Sequence, residues 1–356
     1  MVRLTVSAKT WSFLVCAVMV LTGCSGGASP SSTPSLAPTA SLAPTPTPVA
    51  MPTFAPGSSH APAIGEPADD GARIIAVDTS PPNLLVPTPR IRDLTIDSPA
   101  VSGIVRVRLL LPSQYDTQPS TRWPALYLLG GSDATYQDWA PGLDNETLTA
   151  TTDLLVVMPD AAPDQPYSDW WNGGKGGPPM WENFHLVELS QLLERNWHAG
   201  DKRAIVGGSA GGYGAMEYAT RHPGMFLFAG AYGGVFHPAG NEPTSWGIPD
   251  NEWGDPFKQA DVWKAHDPFL NAEALRGTAL YVAYGNGQPG ALDDAAATVD
   301  STEQWVFRES EAFVQRLAEL NIPVTIYAYG NGTHTGPYFV RNLHNSLPFI
   351  LKALGL

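Results

Sequence analysis

Ser209 stands in the run Gly207-Gly208-Ser209-Ala210-Gly211, where an apolar stretch, Ala204-Ile205-Val206, leads into Gly-x-Ser-x-Gly. This order places a nucleophilic hydroxyl on a very sharp turn between a strand and a helix, so that Oγ projects into a cleft. The turn brings strand and helix so close that positions 207 and 211 have no room for side chains, which is the reason for glycine there. A phosphate-binding loop fits poorly. No Lys-Ser/Thr follows the glycines, and residues 207–214 contain no Gly-x-Gly-x-x-Gly. The chemistry expected is attack on a carbonyl to form an acyl-serine, provided that an acid and a histidine follow in the chain.

The chain has eight histidines. His60 lies in a Pro-rich stretch, His185 and His198 precede the serine, His222 ends the predicted elbow helix and His344 falls inside a predicted helix. His237 and His266 come before the last predicted strands. His334 follows the last of these strands in the glycine-rich loop Gly330-Asn331-Gly332-Thr333-His334-Thr335-Gly336, which suits a base that must reach Ser209 Oγ. An acid is expected beyond the strand at residues 280–284. Asp293, Asp294, Asp300 and Glu303 all qualify, and spacing alone leaves the choice among them open. An oxyanion hole requires two backbone amides. Ala210 N–H, directly after the nucleophile, supplies one. Gly130-Gly131-Ser132, after an early strand, leaves backbone accessible for the other, assigned to Ser132 N–H.

The elements that must hold these groups are readable in outline. Residues 90–96 and 104–111 read as an antiparallel hairpin around Asp97-Ser98-Pro99. Residues 125–129 and 154–158 are nearly continuous apolar runs, as in strands buried on both faces. Further strands are expected at 204–206, 226–231, 280–284 and 324–329. Helices are expected at 181–197, 213–222, 304–320 and 338–354, the last with Pro348 as a candidate kink. The alternation predicts an α/β domain with a mostly parallel central sheet and helices on both faces. Residues 237–270 are irregular and carry Trp246, Trp253 and Trp263, either as the wall or lid of a pocket or as a packed insertion.

Residues 1–23 read as an export signal: Arg3 and Lys9 at the start, then an apolar core at 11–21, shorter than the about 20 residues a membrane span needs. It ends in Leu21-Thr22-Gly23-Cys24, the pattern of a bacterial lipoprotein whose Cys24 becomes the lipidated N-terminus. Residues 24–71 are rich in Pro, Ser, Thr and Ala and are expected to form a disordered stalk. Residues 72–356 are the expected catalytic domain. Cys16 and Cys24 are the only cysteines, so the mature domain has no disulfide and no thiolate metal site. The formal charge is −14, and loss of Arg3 and Lys9 with the signal makes it −16, which argues against nucleic acid or anionic lipid as a partner.

Tyr127-Leu128-Leu129-Gly130-Gly131, Tyr167-Ser168-Asp169-Trp170, the Gly207–Gly211 elbow, Gly285-Asn286-Gly287-Gln288-Pro289 and Gly332-Thr333-His334 occur in an order that resembles the bacterial mycolyltransferases and their esterase D-like relatives. The resemblance covers most of residues 85–355 and implies an α/β-hydrolase fold. Ungapped register from Gly285 to Phe307-Arg308 puts the family's catalytic glutamate on Glu303. The family's nucleophile, histidine and oxyanion amides match Ser209, His334, and Ser132 with Ala210. The family's trehalose-binding aspartate and arginine are replaced by Gly130 and Asp133, its tryptophan beyond the histidine by Gly336, and its paired cysteines near Gly173–Gly177 are missing. The resemblance therefore implies ester chemistry through an acyl-serine more firmly than transfer to trehalose.

The expected protein is a serine carboxylic ester hydrolase without metal or organic cofactor. It is lipid-anchored on the outer face of a bacterial cell membrane, extends into the wall, and acts on an acyl ester such as a lipid or glycolipid. Two alternatives are an acyltransferase that hands the acyl group to a sugar or lipid hydroxyl, and a catalytically silent adhesion or wall-binding module on the same scaffold.

Overall fold

The computed structural model describes residues 64–81, 89–132, 134–139, 150, 152–161, 167–240 and 247–356. Cys24, the signal and most of the expected stalk lie outside them. Among the described residues, no helix is long and apolar enough to cross a membrane.

Among the described residues, nine strands form one sheet. They are β1 (Arg73–Asp78), β2 (Ile91–Ser98), β3 (Gly103–Leu110), β4 (Trp123–Leu129), β5 (Leu155–Pro159), β6 (Ala199–Gly208), β7 (Phe228–Tyr232), β8 (Ala279–Tyr284) and β9 (Thr325–Ala328), in spatial order β1-β2-β3-β5-β4-β6-β7-β8-β9. β2 and β3 form the expected hairpin, and β1 and β5 flank it antiparallel. From β5 to β9 every pairing is parallel. β1 was not anticipated. Its burial alternates only weakly, and it lies at the sheet edge beside low-complexity sequence. The folded body also begins earlier than residue 72. Glu66 N–H donates to Asn196 Oδ1 at 2.7 Å, and Ala68 is buried.

The apolar runs are continuous because the sheet is covered on both sides. In β4, Ala125, Tyr127 and Leu129 face one core and Leu126 and Leu128 the other. The first core is completed by three helices. α1 runs from a turn at Trp181–Asn183 through a π-helical stretch, Phe184–Glu188, into Leu189–Asn196; α2 is Ala210–Arg221 and, after the short helices α3 (Asp250–Trp253) and α4 (Ala260–Ala265), α5 is Ser301–Glu319. On the second face α6 (Gly336–Leu354) buries Leu343, Leu347, Ile350 and Leu354, with Pro348 inside the helix.

In the described part of residues 237–270, the tryptophans are packing residues. Trp253 and Trp263 are buried with Tyr213 of α2, and Trp253 Nε1–H donates to Ser168 Oγ at 2.8 Å. Trp246 lies outside the described residues.

Candidate active site

β6 ends at Gly208 and α2 begins at Ala210, leaving Ser209 alone on the turn at φ 57°, ψ −125°. A non-glycine residue there is strained, and it persists because its surroundings over-determine it. Ser209 N–H donates to Tyr232 O at 2.9 Å, and Gly212 N–H donates back to Ser209 O at 2.8 Å. A Cβ on Gly207 would lie 2.3 Å from Gly211 C and O, and one on Gly211 would lie 2.3 Å from Leu129 O. Backbone on both sides makes these two glycines obligatory.

The loops after β6, β8 and β9 converge on the serine. His334 Nε2 lies 2.8 Å from Ser209 Oγ, and His334 Nδ1 lies 2.6 Å from Glu303 Oε2. With the Glu303 carboxyl oxygen accepting at Nδ1, that nitrogen carries the proton, and Nε2 is free to accept from the serine hydroxyl. Glu303 is fully buried; Gly285 N–H and Tyr329 O–H donate to its other oxygen at 2.6 and 3.4 Å. The Phe339 ring stands edge-on to the imidazole, 5.1 Å away.

The competing acids have other partners. Asp293 accepts from Thr333 Oγ1, from Gly290 N–H at 2.7 Å and from Tyr338 O–H at 2.8 Å, so it braces the histidine loop without reaching the ring. Asp294 is exposed. Asp300 is the N-cap of α5.

The loop carrying Ser132 passes beside the nucleophile: a Cβ on Gly131 would stand 3.4 Å from Ser209 Cβ. It is held by Tyr167 O–H donating to Gly130 O at 2.6 Å and Trp139 Nε1–H donating to Leu129 O at 2.9 Å. Ala210 N–H is the first amide of α2, where the helix dipole favours negative charge. Ala210 thus follows Ser209 directly in the chain, and Gly131, the residue before Ser132, packs against it in space. Sequence reasoning missed the contributions of Tyr167 and Asp300. The Asp300-Ser301-Thr302-Glu303 spacing was the available signal for Asp300, since Asp-x-x-Glu opens many helices.

Among the described residues, one group outside this site has metal-ligand residue types. Ligand atoms of Glu182, Glu217 and His266 lie within 4.8 Å of one another. The Arg221 guanidinium, 3.0 Å from Glu182 and 3.3 Å from Glu217, already supplies the cation there.

The family model described as "Putative esterase" matches residues 98–350. Diacylglycerol acyltransferase/mycolyltransferase Ag85B of Mycobacterium intracellulare is 31% identical over 254 residues, 65% of this chain and 76% of that protein. Esterase MT1326 of Mycobacterium tuberculosis is 28% identical over 255 residues, 66% of this chain and 54% of that protein. Among solved structures, Mycobacterium tuberculosis MPT51 aligns with a TM-score of 0.58 and 25% identity, covering 72% of this chain and 96% of its own. Relatives named as hydrolases and as acyl transferases thus share one framework. With the whole strand–elbow–histidine span inside the matched region, the chain belongs to this esterase family of α/β-hydrolases.

Proposed function

We propose that this chain is a serine carboxylic ester hydrolase in which Ser209 is the nucleophile, His334 the base and then the acid, and Glu303 the residue that fixes and stabilises the imidazole. The observation that carries the reading is the unbroken line Ser209 Oγ–His334–Glu303, with contacts of 2.8 and 2.6 Å. Ser209 Oγ attacks the ester carbonyl as its proton passes to His334 Nε2, and the carbonyl oxygen becomes an oxyanion facing the Ser132 and Ala210 amides. Collapse expels the alcohol, which takes the proton from Nε2. Water, deprotonated by the same nitrogen, then releases the acid and restores the serine.

Acyl transfer is the second reading, favoured by the mycolyltransferase relatives. It differs only in that a bound alcohol replaces water in the second half. Incubating the protein with a p-nitrophenyl ester and a candidate sugar or glycerolipid alcohol separates the two: free acid as the main product supports hydrolysis, and a new ester supports transfer. A catalytically silent protein would give neither.

The sequence Leu21-Thr22-Gly23-Cys24 supports a signal at 1–23, a lipidated Cys24 and a stalk before the catalytic domain, holding it outside the cell on the membrane. Incorporation of labelled palmitate into the wild-type chain but not into Cys24→Ser is the expected result.

A further inference from the structure

Asp300 is bound on both sides by the candidate catalytic machinery without touching the imidazole. Its Oδ1 accepts from Thr302 N–H at 2.9 Å and from Glu303 N–H at 3.2 Å, which caps the first turn of α5. Its Oδ2 accepts from His334 N–H at 2.8 Å. One carboxylate therefore fixes the backbone of the acid and the backbone of the base, 31 residues apart in the chain.

The surrounding loops reinforce this arrangement. Asp300 N–H donates to Gly287 O at 2.8 Å, and Gly287 N–H donates to Gly332 O at 3.0 Å. Asn286 N–H donates to Gly330 O at 2.8 Å, and Gly332 N–H to Gln288 O at 2.6 Å. Gly287 has φ +76°, and a Cβ there would lie 2.5 Å from Asp300 O, so the β8–α5 loop is pressed onto the cap. Within this lattice the Asp300 carboxylate joins the N-terminus of α5 to the backbone of the histidine residue, while Glu303 meets its ring.

We propose that Asp300 is a positioning residue for catalysis: a clamp that sets the separation of Glu303 from His334, in addition to capping α5. The proposal rests on the assignment of Glu303 and His334 above. An ordinary cap needs one acceptor for the first-turn amides, and serine or asparagine serves there nearly as well as aspartate. The contact with His334 N–H has no part in capping. Displacing an acid–base pair by a fraction of an ångström costs catalysis, and a shift of about 1 Å costs about a hundredfold.

The two roles separate by substitution. Asp300→Ser keeps a cap acceptor but is too short to bond His334 N–H as well. Asp300→Asn keeps the cap through its carbonyl and turns an N–H donor toward the His334 amide. Asp300→Ala loses both. Each variant is assayed on p-nitrophenyl acetate for kcat and KM, per site titrated with a fluorophosphonate, at a temperature well below the measured Tm. Asp300→Ser and Asp300→Asn should keep Tm within about 2 °C of wild type, whereas Asp300→Ala should lose about 2–4 °C. All three should lose about 10- to 100-fold in kcat with KM changed less than about twofold. The proposal is overturned if Asp300→Ser and Asp300→Asn keep kcat within about twofold of wild type, or if kcat is lost only where Tm is lost. Failure of the underlying assignment would look different: Ser209→Ala or His334→Ala would keep turning over ester.

Discussion

Among the described residues three carboxylates meet a histidine at Nδ1 with almost the same geometry, Asp267 on His237 at 2.7 Å and, most instructive to compare, Glu303 on His334 at 2.6 Å and Glu217 on His266 at 2.7 Å. What surrounds each pair makes them chemically unlike. His334 sits in a loop at the carboxyl ends of the parallel strands, with its other nitrogen on the Ser209 hydroxyl. His266 lies beneath α2, stacked flat on Trp253 with ring centroids 5.0 Å apart and planes 9° from parallel. Burial and the nearby Arg221 charge lower its pKa to about 3, so the ring is neutral. Burial, aided by the Glu182 charge, holds Glu217 well above the usual carboxylate range. Glu182 itself, despite its burial, is drawn down to about 2 by His222 and Arg221. The lower pair is thus a neutral imidazole and a buried acid locked together under the elbow helix, and it works as packing. A histidine and a carboxylate in contact make a catalytic base only where the second ring nitrogen has a nucleophile and an approach for substrate.

Matched substitutions sharpen this contrast. The largest expected effect is on turnover: His334→Ala should lower kcat by about a millionfold, on the subtilisin precedent, with Tm near wild type. His266→Ala should instead destabilise by about 2–4 kcal/mol, through a cavity and an orphaned Glu217, with kcat per folded molecule unchanged. It should also change the pH dependence of stability. Because His266 is neutral in the fold and protonates near its ordinary value when unfolded, it contributes stability that is lost as pH falls from about 6.5 toward about 3. The wild type should therefore lose more Tm than His266→Ala on going from pH 7 to pH 4. A smaller contrast separates the acids. Glu303→Gln should lower kcat by about ten-thousandfold, because Gly285 N–H keeps the amide carbonyl and turns the NH2 group toward Nδ1, which selects the wrong tautomer and leaves the imidazolium without a negative charge. Glu217→Gln is close in shape, lies away from Ser209 and should leave kcat unchanged and Tm within a few degrees. If Glu217→Gln or His266→Ala abolished turnover while the Glu303 and His334 variants kept it, the comparison would be inverted.

The sequence made one side of this comparison readable and not the other. The elbow was legible because its glycines answer to backbone contacts of 2.3 Å, which leave no alternative residue. His334 was legible because strand order restricts which loops can reach the serine. The acid was not legible from spacing. Asp293, Asp294, Asp300 and Glu303 occupy one segment, and the fold gives three of them work within it: bracing the Thr333 loop, capping α5 and meeting the imidazole. Which carboxylate does which depends on where α5 begins, and the likeness to known esterases, not the pattern, selected Glu303. The lower cluster escaped notice because Glu182, the α2 pair Glu217 and Arg221, and His266 come from three separate segments with no common motif. The tryptophans at 253 and 263 could have formed a lid, but they close over that cluster and pack under the elbow helix.

The central claim is that Ser209 is the one serine made nucleophilic by this arrangement. Treating the wild-type protein with a fluorophosphonate and locating the adduct by mass spectrometry tests it directly. A single adduct on Ser209, formed far more slowly in His334→Ala, is the predicted result; no adduct, or one on another serine, would contradict it.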